Sequence, residues 1–252
     1  MFASLWFSSA APSAFFSVAI ICPSQEITCA MADLGPLWLS LRVATIATIL
    51  IVAVGLPLAL GLVRLRFPGK GLVAGILVLP LVLPPTVLGY LLLQVLGRRS
   101  ALGAWLEQSL GIMLVFHWTG AVVASAVAAF PLFLLPARGA IEAVDPALED
   151  VARLLGRSEL SVFWSVTVPL AWRGLAAGTV LAFARALGDF GATRMVAGNI
   201  RGLTQTASIA IYDAVEAGEP ARAGWLALWI SLVSITALWV VQRTLPVRGP
   251  GR

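Results

Sequence analysis

Charge is what this sequence has least of. Asp, Glu, Lys and Arg together make up 12% of 252 residues, about half the fraction usual in soluble domains. Apolar residue types reach 60%, and the mean hydropathy is +0.95. That much apolar surface cannot be covered by so few polar groups, so lipid is the solvent for most of the chain. Lys70 is the only lysine, and the net charge of +5 comes from scattered arginines. With no basic patch, a nucleic-acid partner is excluded; phospholipid headgroups and positively charged inner loops explain the balance. Cysteine is confined to Cys22 and Cys29, and His117 is the one histidine. No C-x-x-C pair or Cys/His cluster results, which leaves no metal site and no disulfide framework. A Gly-x-x-x-x-Gly-Lys-Ser/Thr phosphate loop is missing, so the chain carries no ATP site of its own. No Ser/His arrangement, carboxylate pair or metal cluster falls at membrane depth, which excludes an intramembrane enzyme and leaves no catalytic residues.

What is abundant is long apolar runs. A spanning helix needs about 20 such residues, and five segments qualify: roughly 39–63, 72–96, 113–137, 170–192 and 223–242. Pro68, Gly69 and Gly71 make "RLRFPGKG" a tight turn between the first two. Alternate loops carry ten Lys and Arg on one side and five on the other. By the positive-inside rule the richer side, with the 138–169 loop and the C-terminus, is cytoplasmic. Residues 1–30 fit poorly: the apolar run from Ala10 to Cys22 is too short to span, and no Lys or Arg precedes Arg42. The expectation is a dispensable extension, or a half-helix, before a membrane domain over 31–245 and a short cytoplasmic tail at 246–252.

The 138–169 loop holds strong helix signals. Asp145 is placed to cap, Pro146 stands at the first helical position, and Glu149 and Asp150 lie in the first turn. Leu148, Val151, Ala152 and Leu155 recur at helical spacing, and Gly156 ends the helix. Arg153 follows Glu149 by four, the favourable order for a pair. A second short helix over about 158–166 stops before Pro169. Such an amphipathic helix either lies on lipid or docks its apolar stripe into a partner's groove.

The spacing separates these. "D-V-A-x-x-x-G" at 150–156, nine intervening residues and "V-T-V-P" at 166–169 resemble the loop motif of the membrane subunits of ABC importers, Glu-Ala-Ala-x-x-x-Gly, nine residues, Ile-x-Leu-Pro. Asp150 stands at the Glu position with Glu149 just before it, and Ala152, Gly156 and Pro169 match outright. "FPGKG" at 67–71, "LPLVLPPTVLGYLLL" at 79–93, "GRRS" at 97–100 and "LAFARALGDFGAT" at 181–193 resemble the molybdate/tungstate permease branch, with sulfate/thiosulfate permeases as near relatives. Asp189 stands where that branch usually has Glu. The resemblance implies an all-α polytopic bundle, the type I ABC importer permease fold, with five core transmembrane helices and a cytoplasmic coupling-helix loop. It implies coupling to an ATPase through Leu148, Glu149, Asp150, Val151, Ala152, Leu155, Gly156 and Pro169. It also implies a homodimer in the cytoplasmic membrane, two ATP-binding subunits that hold ATP and Mg, and an external oxyanion-binding protein; this chain needs no cofactor. An ion-gradient-driven secondary transporter would show inverted repeats and a deep acidic relay, and neither is visible.

Two clusters are candidates for the substrate pathway or gate. Arg185 and Asp189, one turn apart near the outer end of the fourth segment, are costly at membrane depth and so face a bundle interior or a water-filled path. They either lock helix packing or present a guanidinium, whose planar fork suits paired oxygens, to a tetrahedral oxyanion. Gly188 allows a bend there, and Thr193 lies just beyond. Pro84 and Pro85 break the second segment's hydrogen bonds; they either kink a packed helix or line the pathway, with Thr86 as a polar handle. His117 beside Trp118 reads as an interface residue. Gly71–Gly75 and Gly174–Gly178 are small-xxx-small spacings. A helix over about 204–217 is expected on the outer surface, available to an external binding protein.

Overall fold

The computed structural model describes residues 34–65, 67–98, 100–110 and 114–244; the expectations for 1–30 and 246–252 lie outside them. Every element among the described residues is helical. The first, α1, is Gly35–Arg64, 30 residues and ~45 Å at 1.5 Å per residue, more than the ~30 Å of a hydrocarbon core. Its buried residues, Val43, Ala44, Ala47, Ile51, Gly55, Ala59 and Leu62, recur every three or four positions and form one inner stripe. Ile49, Leu50 and Val54 face outward, as suits a helix bathed in lipid.

The second expected segment, 72–96, is two helices instead of one kinked span. α2 (Lys70–Val82) and α3 (Pro85–Leu96) meet at a bend of 118°. The cause lies in the Pro-Pro pair. A residue before proline is pushed out of the α region, so both Leu83 (ψ 139°) and Pro84 (ψ 137°) are extended. Two extended residues in succession redirect the chain, and Pro85 then starts α3 at a position that needs no N–H. At 13 and 12 residues, or ~20 Å each, neither half crosses a bilayer alone.

After α4 (Ala101–Leu110) comes α5 (Trp118–Glu142), the most enclosed long helix among the described residues. It starts five residues later than the segment expected from hydropathy because His117 caps it, accepting from the Thr119 N–H. Trp118 lies 4.1 Å beneath the Arg42 guanidinium. Gly120, Ala121, Ala124, Ser125, Ala128, Ala129 and Ala137 are all buried, and their small size lets neighbours approach closely. Gly178 lies so near Phe133 that an added Cβ would sit 3.0 Å from its carbonyl oxygen, and one on Gly174 would strike the Ala140 Cβ. Added on Gly55, it would be 2.6 Å from the Phe133 ring. Gly71 and Gly75 have the same spacing but face open space.

The 138–169 region gives α6 (Pro146–Leu154) and α7 (Glu159–Val162), then a π turn over Phe163–Thr167 and α8 (Val168–Leu187). Contrary to expectation no break separates a loop helix from the fourth span; the run from Glu159 to Leu187 is continuous. Pro169 would drive its ring against the carbonyl of Ser165 in a regular α-helix. That carbonyl lies within the wider π turn, where the Val168 N–H bonds back five residues to Phe163. α8 ends at Leu187, short of the 192 expected, and α9 (Gly191–Ala197), α10 (Ala207–Glu216) and α11 (Pro220–Thr244) complete the chain. α10 is not a free surface helix. Ala207, Ile209, Ala210 and Ala214 are buried, and the Ser40 hydroxyl of α1 accepts from the Ala207 N–H at 2.8 Å.

The core is where α1 and α8 pack on α5, with a second cluster of Leu88, Ala124, Ala128, Ala192 and Val196 joining α3, α5 and α9. Replacing Gly178 by Val should lower stability by ~1–3 kcal/mol through overpacking, whereas the Gly71→Val change should be near neutral. Thermal melts of the detergent-solubilised variants check the contrast.

Candidate functional site

Two clusters of polar side chains lie at opposite ends of α8. The first is at the Pro-Pro break. Asp189 follows α8 instead of continuing it, since Gly188 ends the helix, yet its carboxylate still reaches back. Oδ1 accepts from Arg185 Nη1 at 2.8 Å. Oδ2 accepts from the Thr193 N–H at 3.0 Å and from its hydroxyl at 2.6 Å, satisfying an N–H in the first turn of α9. Because the Thr193 proton goes to the carboxylate, Ser125 on α5 must donate to Thr193 Oγ1, 3.1 Å away. Ser125, Asp189 and Thr193 are buried, while the Arg185 side chain is 29% exposed.

The same segment grips the break. A Cβ on Gly191 would lie 2.8 Å from the Pro85 Cβ, and one on Gly89 would lie 2.7 Å from the Met195 Cβ. α9 and α3 therefore meet backbone to backbone, each held by the other's glycine. Pro84, Pro85, Thr86 and Gly188 are exposed at the margin of this contact. The residues named as pathway candidates are thus one neighbourhood: 84–86 on one wall, 185–193 on the other. Beside it, Arg194 stacks 4.6 Å over Tyr212, whose hydroxyl is pushed above its ordinary pKa chiefly by its hydrogen bond with Glu216. Asp213 accepts from Asn199 and Gln205 at 2.6 and 2.8 Å, fixing the loop that leads into α10.

The second cluster joins α6 to the bundle. Asp145 accepts from the Ala147 N–H, Pro146 opens α6, and Gly156 follows it at φ 80°. Glu149 is 1% exposed. Its carboxylate is paired with Arg64 at the end of α1, accepts from the Thr167 hydroxyl of the π turn at 2.7 Å, and lies 3.5 Å from Arg153. Arg153 bonds Asp150 at 2.6 Å and both oxygens of Glu159 at 2.7 and 3.2 Å. Those bonds, to Glu159 first and then Asp150, hold its pKa above the ordinary value. Asp150, at the motif's acidic position, is 65% exposed.

The faces of α6 divide accordingly. Leu148, Val151 and Leu155 project outward, with Leu154 at 87% exposure beside them, whereas Ala152 and Glu149 turn into the bundle. The expected apolar stripe is corrected to this extent: Ala152 does not belong to it and Leu154 does. Pro169 belongs to the start of α8, not to α6. Between α1, α7 and the π turn lies a cavity of about 1020 Å³ with Leu56, Pro57 and Phe163 in its wall and Arg64, Glu149 and Arg153 at its polar end.

The residues that sequence reasoning did not name are partners. Ser125 stands alone as a hydroxyl in "AVVASAVAAF"; Thr167 is the variable position of the V-T-V-P run; Arg64 read as a loop charge. Each has a signal, a polar group amid apolar neighbours, but no spacing tells which residue it meets.

A four- or five-span helical bundle with an amphipathic helix held at one end and a broken helix clasped at the other is the form of a transport-system membrane subunit. The chain belongs to the family described as "Binding-protein-dependent transport system inner membrane component", whose model matches residues 51–244. It is 46% identical over 202 residues to the molybdenum transport system permease protein ModB of Escherichia coli, 79% of this chain and 88% of that protein. It is 40% identical over 224 residues to ModB of Haemophilus influenzae, 87% and 98% of the two chains. A chloroplastic sulfate permease of Chlamydomonas reinhardtii is 34% identical over 216 residues, 85% of this chain but 58% of that one. Among solved structures, a bacterial ABC transporter involved in alginate import superposes with a TM-score of 0.67 over 97% of this chain and 86% of that one, at 14% identity; it shows the type I importer permease fold. The chain is thus a multi-pass membrane transport subunit and not a catalytic enzyme.

Asp189 organises α9, Arg185 and, through Thr193, α5. The Asp189→Ala change leaves a part-buried guanidinium unpaired and should cost ~3–5 kcal/mol, whereas Asp189→Glu should cost far less. Thermal unfolding of the purified protein measures the difference.

Proposed function

We propose that this chain is the membrane-spanning permease subunit of an ABC importer that carries molybdate or tungstate inward across the cytoplasmic membrane. One observation carries the coupling part of this reading. α6 has its polar anchor buried and its leucines displayed, the opposite of a helix that packs its apolar face on its own bundle. Leu148, Val151, Leu154 and Leu155 need a partner's groove, and the ATP-hydrolysing subunit of such an importer supplies one. The substrate reading rests on the relatives: the similar proteins named for molybdenum align over most of both chains, whereas the sulfate permease is more distant and longer.

α6 and the C-terminus then face the cytoplasm, and α9 and α10 face outward. Two copies of the chain form the pathway, two partner subunits bind ATP and Mg, and an external binding protein delivers the oxyanion. On this reading the α3–α9 contact is the outer gate. Asp189, Thr193 and Ser125 hold its wall, and the part-exposed Arg185 offers a positive field to the passing anion, moderated by Asp189 so that the anion is not trapped. Pulling α6 on ATP binding rocks α8, and the rocking opens and closes Pro85 against Gly191.

The test is ATP hydrolysis by this chain co-purified with its ATPase subunit, with binding protein loaded with molybdate, tungstate or sulfate. Stimulation by molybdate and tungstate is expected; stimulation by sulfate alone moves the substrate, and no stimulation at all favours gradient-driven transport. Exchanging Leu154 and Leu155 together for Asp should abolish co-purification of the ATPase subunit. Because both are exposed, the permease itself should lose no more than about 0.5 kcal/mol per site, seen as an almost unchanged melt.

A further inference from the structure

We propose that Glu149 is the positioning residue through which motion of α6 reaches the spans, acting by its joint hold on Arg64 and Thr167. The inference rests on the coupling role of α6 argued above. Three observations carry it. First, α6 has nine residues, too few to hold a helix by itself, and its large apolar side chains point away from the bundle. Ala152 is its one buried apolar residue, so the carboxylate is the principal bond between α6 and the rest of the molecule. Second, that one carboxylate meets two elements that are far apart in sequence: Arg64 closes α1, and Thr167 is the last residue of the π turn that heads α8. Third, both joints beside it are pliable. Gly156 follows α6 in a left-handed conformation, and the π turn is a local widening of the helix, a feature frequent at functional sites.

A push on α6 therefore has a stiff route and a soft one. The covalent route runs through Gly156 and the π turn and absorbs displacement. The route through Glu149 bypasses both, because a buried charge cannot leave its partners without the cost of an unpaired ion. It moves the end of α1 and the start of α8 together. α8 in turn carries Arg185 at its far end, ~26 Å away by helical rise, where Asp189 ties it to the gate segment. The arginines divide the work: Arg153 bridges α6 to Glu159 across the Gly156 turn and sets its pitch, while Arg64 receives the thrust.

The proposal is tested in the intact complex with its ATPase subunit in nanodiscs, comparing the parent chain with Glu149→Gln, Arg64→Gln, the double variant, Arg64→Lys and Thr167→Val. The readouts are subunit stoichiometry, basal ATP hydrolysis and the stimulation given by loaded binding protein. Each Gln variant should retain its ATPase subunit and basal hydrolysis within about twofold yet lose stimulation by ~10-fold. The double variant should lose no more than either single one, since both remove one interaction. Arg64→Lys should restore most of the stimulation, and Thr167→Val, the mildest change, should lower it ~3-fold. If Glu149→Gln does not assemble, the Arg64 and Thr167 variants decide. Stimulation kept within about twofold of the parent in assembled complexes, or losses that multiply in the double variant, overturns the proposal. Failure of the parent chain to retain an ATPase subunit overturns the coupling role of α6 itself, and is seen before any variant is made.

Discussion

The close approach of α1 and α8 to α5 is the contact on which the remaining structure depends. In lipid, the apolar effect that drives soluble cores supplies little between helices, so association rests on van der Waals contact at short range and on buried polar bonds. α5 provides the short range. Its Gly and Ala residues, matched by Gly178 on α8 and Gly55 on α1 around Phe133 and by Gly174 on α8 against Ala140, bring the helices together. Both polar clusters are attached to this three-helix core. The outward faces of α1, α2 and α11 remain apolar because lipid, or another subunit, is their solvent.

Polar groups are then placed sparingly, and most of the buried ones among the described residues are hydrogen-bonded, the Thr206 hydroxyl and the Trp225 indole N–H excepted. The few charges inside the bundle fall into two knots, Glu149 with Arg64 and Thr167 at one end, Asp189 with Arg185, Thr193 and Ser125 at the other. Each knot lies where a helix is interrupted, at the π turn or just beyond Gly188. A helix interruption in a membrane frees backbone groups that need partners, and side-chain charges at those points hold pieces that continuous hydrogen bonding no longer holds. α8 connects the two knots as one rod, so on the proposed function an event at α6 is related through it to one at the opposite end of the bundle.

Much of this was legible beforehand. Hydropathy located the apolar segments because a bilayer demands ~20 apolar residues of any helix that crosses it, and the local chemistry of Asp145, Pro146 and Gly156 marked the ends of α6. Spacing in the 150–169 loop and the resemblance it carried pointed to the family to which the chain belongs. Local signals misled where one residue's effect depends on its neighbours. One proline kinks, but two in succession forced Leu83 and Pro84 out of the helix and turned the chain by 118°. Pro169 read as a helix stop, yet the π turn took up its ring and the helix ran on.

What the sequence by itself determined is the solvent, the helices and the chemistry available at each position, because these follow from composition and from contacts no more than a few residues apart. Which residue meets which was decided only by the tertiary structure. Gly71–Gly75 and Gly174–Gly178 share one spacing, but only the second pair abuts a helix. Glu149 and Asp150 are adjacent carboxylates, yet rotation by one helical position buries the first against Arg64 and leaves the second at the surface. The separation of 85 positions from Arg64 to Glu149 and of 68 from Ser125 to Thr193 leaves no trace in any local pattern. Such pairs form because burying a charge or hydroxyl without a partner is too costly, and the packing of α1, α5 and α8 decides which partner is within reach.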